Sequence, residues 1–272
     1  MRPALPPLLP PLPLLRPHWP DLPAQVGALA TLRAGGVSPE PYHAITAGGA
    51  VDGGLNLGVH VGDQIDYVRQ NRQLLGAALP GRPAWLNQVH GTAVVDAGQV
   101  QGGAPDADAS FATMRGAVCV VMTADCLPVL FSAADGGVVA AAHAGWRGLA
   151  AGVLQRTVLA MRGAGASDIV AWLGPAIGPQ QFEVGADVLA AFRQALPEPE
   201  HAALVTAAFV PLAGRPGKYL ADIYALARLM LGRDGVTRVS GGEHCTVTES
   251  GNFYSYRRDG ITGRQASLIW RK

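Results

Sequence analysis

The chain's 272 residues give room for one large domain or two small ones. With 49% hydrophobic and 15% charged residues, it can build a sizeable core and lacks the composition of a disordered polymer. A formal net charge of +1 argues against nucleic-acid backbones and anionic membranes as partners.

Residues 1–25 form a proline-rich extension ahead of a domain expected at 26–272. Pro3, Pro6, Pro7, Pro10, Pro11 and Pro13 forbid an α-helical signal core or membrane span. The segment is expected to be disordered or loosely docked, so that deleting Met1 to Pro23 leaves stability nearly unchanged. A polyproline ligand is the alternative. No later apolar run reaches the ~18 residues of a membrane helix.

Asp66 to Leu75 reads as a helix capped by Asp66 and ended near Gly76. Leu149 to Met161, Val184 to Leu196 and Ala221 to Leu231 read as three more, the last stopped by Gly232. Strands are expected at Leu86–Val89, Ala93–Asp96, Ala117–Met122, Pro128–Phe131, Val138–Ala142, Ile169–Leu173, Val236–Ser240 and Ala266–Trp270. Gly102 to Pro105 and Pro197 to Pro199 read as loops. Helices and strands mix without strict alternation, so a doubly wound parallel sheet is not required. The three cysteines lack paired spacing, which argues for a reducing, cytoplasmic setting over a disulfide framework. Cys119 and Cys245 read as plain buried thiols.

Three strand ends carry chemistry. His90 ends the alternating segment Trp85-Leu86-Asn87-Gln88-Val89. Asp125 and Cys126 follow the apolar run Ala117–Met122, just before Pro128. His143 ends the run Gly137–Ala142, and Gly145-Trp146-Arg147-Gly148 turns from there towards a helix. Two imidazoles and one thiol converging on a point suit zinc, and three donors with one open position is the catalytic pattern. The alternatives are three unrelated residues, or a metal-free Cys126–His143 nucleophile pair. Asp125 either orients a ligand, relays a proton or caps its turn. Asp106 and Asp108 share a face of an extended segment and read as turn and capping residues.

The motifs Asn56-Leu57-Gly58 with His60-Val61-Gly62-Asp63, Asn87-Gln88-Val89-His90-Gly91, Thr123-Ala124-Asp125-Cys126-Leu127-Pro128 and His143-Ala144-Gly145-Trp146-Arg147-Gly148 continue into Gly174-Pro175-Ala176-Ile177-Gly178 and Tyr256-Arg257-Arg258-Asp259-Gly260. In this order they resemble the YfiH-like family, whose members are called laccase-domain polyphenol oxidases, purine nucleoside phosphorylases or peptidoglycan editing factors. The resemblance covers about residues 29 to 272 and implies an α+β fold. That fold is a single domain with mixed β-sheets layered between helices in an α/β/β/α-like arrangement.

The resemblance places His90, Cys126 and His143 where the family's metal ligands stand. Cys126, Asp125 and Arg147 are the candidate catalytic residues. Arg147, near a helix start, can hold a phosphate bidentately. Arg33, Asn56, Gln88 and Arg257 are the candidate substrate-binding residues. Arg33 stands where the family has a threonine-arginine-x-glycine-glycine loop; Asn56 and Gln88 offer amides to a sugar or base. In one place the chain departs from the family. Members run from the proline-tyrosine pair to Asn-Leu-Gly within a few residues. Here a glycine-rich insertion containing Gly48-Gly49 and Gly53-Gly54 separates Pro41-Tyr42 from Asn56.

The resemblance implies a zinc enzyme that cleaves adenosine, inosine or methylthioadenosine with phosphate, with adenosine deamination as a further activity. A bound zinc lowers the pKa of its water to about 7, which suits attack on a purine ring. Rival readings are a copper-dependent polyphenol oxidase, a peptidoglycan-precursor editing hydrolase using Cys126 and His143, and a non-catalytic metal-stabilised binding module. One nitrogen–sulfur site is poor ground for a multicopper centre, which needs several metals and many imidazoles.

Overall fold

The computed structural model describes residues 12–45 and 51–272. The prolines up to Pro11 and the Gly48-Gly49 part of the insertion lie outside these residues. Two mixed sheets stack face to face. The first runs in the order Leu14–Leu15, Val26–Thr31, Gln265–Arg271, Val118–Thr123 and Pro83–Ala84. The second runs Arg238–Gly241, Ile169–Leu173, Leu127–Ala133, Val139–Ala144, Ala109–Ala112 and Val94–Asp96. A small sheet of Glu183–Gly185, Lys218–Ala221 and Phe209–Pro211 and a hairpin of Ala44–Ile45 with Val51–Asp52 complete the strands. This is the expected α+β single domain.

The apolar runs have a layered explanation. In Val118–Thr123 every residue is buried, because both faces are covered. Cys119 and Val121 face the second sheet, among Leu130, Val139 and Trp172. Val118, Val120 and Met122 face outward onto Leu57 and Leu75. Leu75 comes from the helix Ile65–Gly76, which covers this side. Leu127, Val129 and Phe131 of the second sheet face the opposite way, onto Leu149, Val158, Phe192 and Met230 of the helices on that side. The period of two thus sorts each strand between an inner and an outer core.

Several elements differ from expectation. Leu86–Val89 is not a strand; Asn87 alone makes one bridge, to Asp106. The helix expected over Leu149–Met161 is two, Trp146–Ala151 and Val153–Gly163, because Gly152 adopts φ +96° between them. Gln64, not Asp66, is the cap position of Ile65–Gly76, and Asp66 instead pairs with Arg69 in the first turn. Asp222 caps Ile223–Arg233 by accepting from the Tyr224 and Ala225 N–H groups, and the helix passes through Gly232. Pro199–Ala207, read in part as loop, is a helix with proline at its first position, where a missing N–H costs nothing. Tyr256–Asp259 is a short helix whose cap, Ser255, accepts from the Arg258 N–H.

The loose docking expected of the N-terminal extension does not hold for residues 12–25. Leu14–Leu15 pairs antiparallel with Val26–Thr31 as an edge strand. Trp19 is only 6% exposed and packs into the core between the sheets, with Leu15 and Leu22 against it. Prolines are tolerated beside an edge strand because one side needs no ladder partner. Trp19→Ala should therefore cost about 3–5 kcal/mol of unfolding free energy, measured by chemical denaturation. A loss well under 1 kcal/mol would mean the segment adds no core.

Candidate metal centre and its pocket

Three residues, Ala124-Asp125-Cys126, carry the chain from the first sheet into the second. Asp125 makes the crossing in the left-handed region, at φ +92°. Its carboxylate accepts from Thr246 Oγ1 and from the Arg257 N–H, both at 2.6 Å. Cys126 emerges beside Leu127–Ala133, where Pro128 stands opposite His143 and Leu127 opposite Ala144. Cys126 is thus brought next to Gly145. A Cβ there would lie 2.8 Å from the His90 ring and 3.0 Å from Cys126 Sγ, so only glycine fits.

His90 enters from the loop over residues 87–91, also left-handed at φ +59°. Among the described residues, His90 and Asp125 are the two non-glycine positions with positive φ, and both bound this site. Such strain persists only where the surroundings hold it. His90 Nε2 lies 3.7 Å from Cys126 Sγ, and the His90 and His143 rings meet edge to face at 4.8 Å. One donor atom from each of His90, Cys126 and His143 falls within 4.8 Å of the others. His143 is 3% exposed, whereas His90 stands open to solvent.

His143 Nδ1 lies 2.8 Å from the buried Asp108 carboxylate. That bond turns Nε2 towards Cys126. Burial opposes ionisation of Cys126, but the His143 charge and hydrogen bonds from both imidazoles outweigh it and hold the thiol at about 6. Burial also opposes charge on His143, yet Cys126 and Asp108 outweigh it and raise the imidazole to about 9. For Asp108, burial is outweighed by the His143 and backbone hydrogen bonds, which hold the carboxyl below its usual range. Cys119, by contrast, is pushed up by burial to about 12, as expected of a plain buried thiol.

This donor set fits zinc. Bonds of ~2.0 and ~2.3 Å in a tetrahedron put nitrogen and sulfur about 3.5 Å apart, close to the 3.7 Å between His90 and Cys126. The thiol is ionised near neutral pH, and the carboxylate behind His143 is the outer partner that metal-binding imidazoles use. Among the described residues this is the one cluster of three or more histidine, cysteine or acidic groups spaced to hold a metal.

The centre opens into a cavity of about 360 Å³. Trp146, Ile177, Phe182, Ile223 and Tyr256 give it apolar and aromatic walls. The sequence reading missed Ile177, Phe182 and Ile223 as wall residues; separate, distant segments deliver them. Arg147 lines the cavity with its guanidinium 4.4 Å over the Trp146 ring, and it makes no hydrogen bond among the described residues. Arg257 also lines it, but its guanidinium donates to the Gln181 and Glu183 carbonyls.

Asn56, Gln88 and Arg33 lie outside this cavity's lining. Asn56 is a correction: its amide donates to Gly58 and Asp63 and accepts from the Gly58 and Arg264 N–H groups. Asn56 is buried with all four of its amide bonds used inside the fold, which leaves none for a substrate. Gln88 lies outside the cavity lining, where its amide donates to and accepts from the Met122 backbone at 2.7 Å. Arg33 lines a separate cavity of about 730 Å³ and donates to the His43 and Ser250 carbonyls. The helix Tyr256–Asp259 stands between the two cavities, contributing Tyr256 and Arg257 to one and Arg258 and Asp259 to the other. Asp125 borders the metal pocket, and each of its carboxylate oxygens accepts one hydrogen bond that ties the pocket wall together. His60 lies outside the donor cluster and the cavity lining. The unanticipated residue is Asp108, read as a turn former.

A two-histidine, one-cysteine donor set that could hold a metal ion lies at the crossing between two stacked sheets and opens to an aromatic pocket. Residues 27–272 match the model of the family described as multi-copper polyphenol oxidoreductase laccase. The chain belongs to that family, the YfiH-like proteins. It is 50% identical over 256 residues to a purine nucleoside phosphorylase of Pseudomonas aeruginosa, covering 94% of this chain and 97% of that one. It is 49% identical over 259 residues to the Escherichia coli purine nucleoside phosphorylase YfiH, covering 94% and 98%. A crystal structure of a Neisseria meningitidis protein superposes with a TM-score of 0.85 at 50% identity, covering 95% of this chain and 99% of that one. Bacillus licheniformis YfiH gives a TM-score of 0.78 at 27% identity, covering 91% and 93%.

In metal-free protein, alkylation of Cys126 should follow an ionisation well below the ~8.5 of a free thiol, near the value of about 6 set by the two histidines. Rates measured against pH, with Cys126→Ser to subtract the other thiols, check this. A midpoint near that of a free thiol would show that the imidazoles do not charge-pair with it.

Proposed function

We propose that this protein is a zinc-dependent purine nucleoside phosphorylase acting on adenosine, inosine and methylthioadenosine, with adenosine deaminase activity at the same centre. The observation that carries the reading is one juxtaposition: a two-nitrogen, one-sulfur donor set at the inner end of a cavity with aromatic walls and an uncommitted arginine. The names of the relatives support it. His90, Cys126 and His143 would hold the zinc, which would supply a Lewis acid beside the pocket.

The protein's own residues do the rest. Ile177, Phe182 and Ile223 give the base an apolar wall, and Tyr256 offers a ring at the rim. Arg147 holds phosphate through two parallel N–H···O bonds, its plane steadied on Trp146. A phosphate oxygen then bonds to the ribose C1′ as the bond from C1′ to the base nitrogen breaks, and the base leaves with the electron pair. Asp125 and Arg257 keep the pocket wall in place. No described helix is long and apolar enough to cross a membrane. Three free cysteines suit a reducing, cytoplasmic setting.

Zinc is favoured over copper because multicopper chemistry needs further imidazole clusters, and the described residues hold one cluster. The Cys126–His143 pair favours one second reading, a metal-free thiolate nucleophile of the kind an editing hydrolase of cell-wall precursors would use.

Adenosine with phosphate should yield adenine and ribose 1-phosphate, with activity abolished by chelation and restored by zinc. Activity that survives verified metal removal would overturn the zinc reading in favour of the thiolate nucleophile, and phenol oxidation with copper alone would favour the oxidase. In the same assay Arg147→Ala should lower phosphorolysis about 10- to 100-fold, the equivalent of a lost charge-assisted contact of ~1.5–3 kcal/mol. Deamination, which uses no phosphate, should fall far less. Equal losses would mean that Arg147 binds the nucleoside or is structural.

A further inference from the structure

We propose that Asp108 is a positioning residue that builds both histidine ligands of the metal centre at once. The inference rests on the metal reading above and extends it to a residue outside the donor set.

Asp108 is completely buried. Its Oδ1 accepts from His143 Nδ1 at 2.8 Å and from the His90 N–H at 3.0 Å. Its Oδ2 accepts from the Gly91 N–H at 2.7 Å and the Val89 N–H at 3.2 Å. The Asp108 carbonyl also accepts from the His143 N–H at 2.6 Å. Four donors thus converge on a group with about four acceptor sites, which leaves it no spare capacity.

These bonds do two separate jobs. The ring contact requires a proton on His143 Nδ1, so Nε2 keeps its lone pair for a metal and points at the Cys126 side. The backbone contacts gather three successive N–H groups, from Val89, His90 and Gly91, around one anion. That nest holds His90 in its left-handed conformation, which aims the second imidazole at the same point. Asp108 gains its place because Ala109, the next residue, pairs with Ala142 and sets it beside His143.

Only an ionised carboxylate accepts on both oxygens. In Asp108→Asn one oxygen becomes an NH₂ donor. Placed on the Oδ1 side, it meets the His90 N–H and forces His143 to protonate Nε2, which then cannot bind metal. Placed on the Oδ2 side, it faces the Gly91 and Val89 N–H groups and pushes the His90 loop away. Either arrangement removes one histidine from the centre. Asp106 provides the contrast: it anchors the same loop through Asn87 at 2.6 Å but touches neither histidine.

The test uses the full chain, stripped of metal and titrated with zinc against a competing chelator, without substrate. Asp108→Asn should weaken zinc binding about 10- to 100-fold, the usual effect of losing an outer partner of a metal ligand. Asp106→Asn should bind like the wild type. Long-range ¹H–¹⁵N correlations of the zinc-loaded wild type should show His143 protonated at Nδ1. Unchanged affinity in Asp108→Asn would overturn the proposal. So would equal losses in both variants, which would reduce Asp108 to a loop anchor. Should Asp108→Asn fail to fold, the wild-type spectrum still decides: a His143 protonated at Nε2 would overturn the role. A failed phosphorolysis assay counts against the proposed activity and not against Asp108.

Discussion

Everything at this centre depends on how the chain crosses from one sheet to the other between Thr123 and Leu127. The two strands joined by this crossing are buried throughout, so its polar backbone has to be satisfied locally. Asp125 meets that demand. Its left-handed backbone turns the chain, and its carbonyl accepts from the Ile177 N–H at 2.9 Å. Its carboxylate ties down Thr246 and the start of the helix Tyr256–Asp259. One turn thereby fixes Cys126 and a wall of the pocket.

The histidines are held by a second device with the opposite economy. A buried carboxylate beside an imidazole and a thiolate is an expensive arrangement in a low-dielectric interior, sustained only when every lone pair is used. Asp108 meets that condition with four donors. Among the described residues, the two non-glycine positions with positive φ fall within this one site, together with the titratable triad of Asp108, Cys126 and His143. Strain and unusual charge gather where a fold serves chemistry rather than its own stability.

The central strands were legible in the sequence because a strand covered on both faces reads as a continuous apolar run, as in Val118–Thr123 and Leu127–Ala133. Val26–Thr31 was not, since Val-Gly-Ala-Leu-Ala-Thr is too small to signal a strand. Its glycine is demanded by Trp270, whose ring would lie 2.3 Å from a Cβ at position 27. The break at Gly152 and the four-residue helix Tyr256–Asp259 were hidden for a related reason: neither is long enough to set up a period. The donor set was legible because histidines and a cysteine at the ends of apolar segments are chemically distinctive. Asp108 was not, since its meaning comes from a strand pairing that brings it to His143, 35 residues away. Asn56 misled in the other direction. A motif amide that satisfies backbone inside the fold looks, in sequence, like one that binds a ligand.

Zinc-edge X-ray absorption of the purified protein tests the central claim most directly, because it reads the donor atoms themselves. The account requires one sulfur at about 2.3 Å, from Cys126, and nitrogen or oxygen neighbours at about 2.0–2.1 Å that include two imidazoles. A first shell of oxygen and nitrogen alone, or two or more sulfurs, would contradict it.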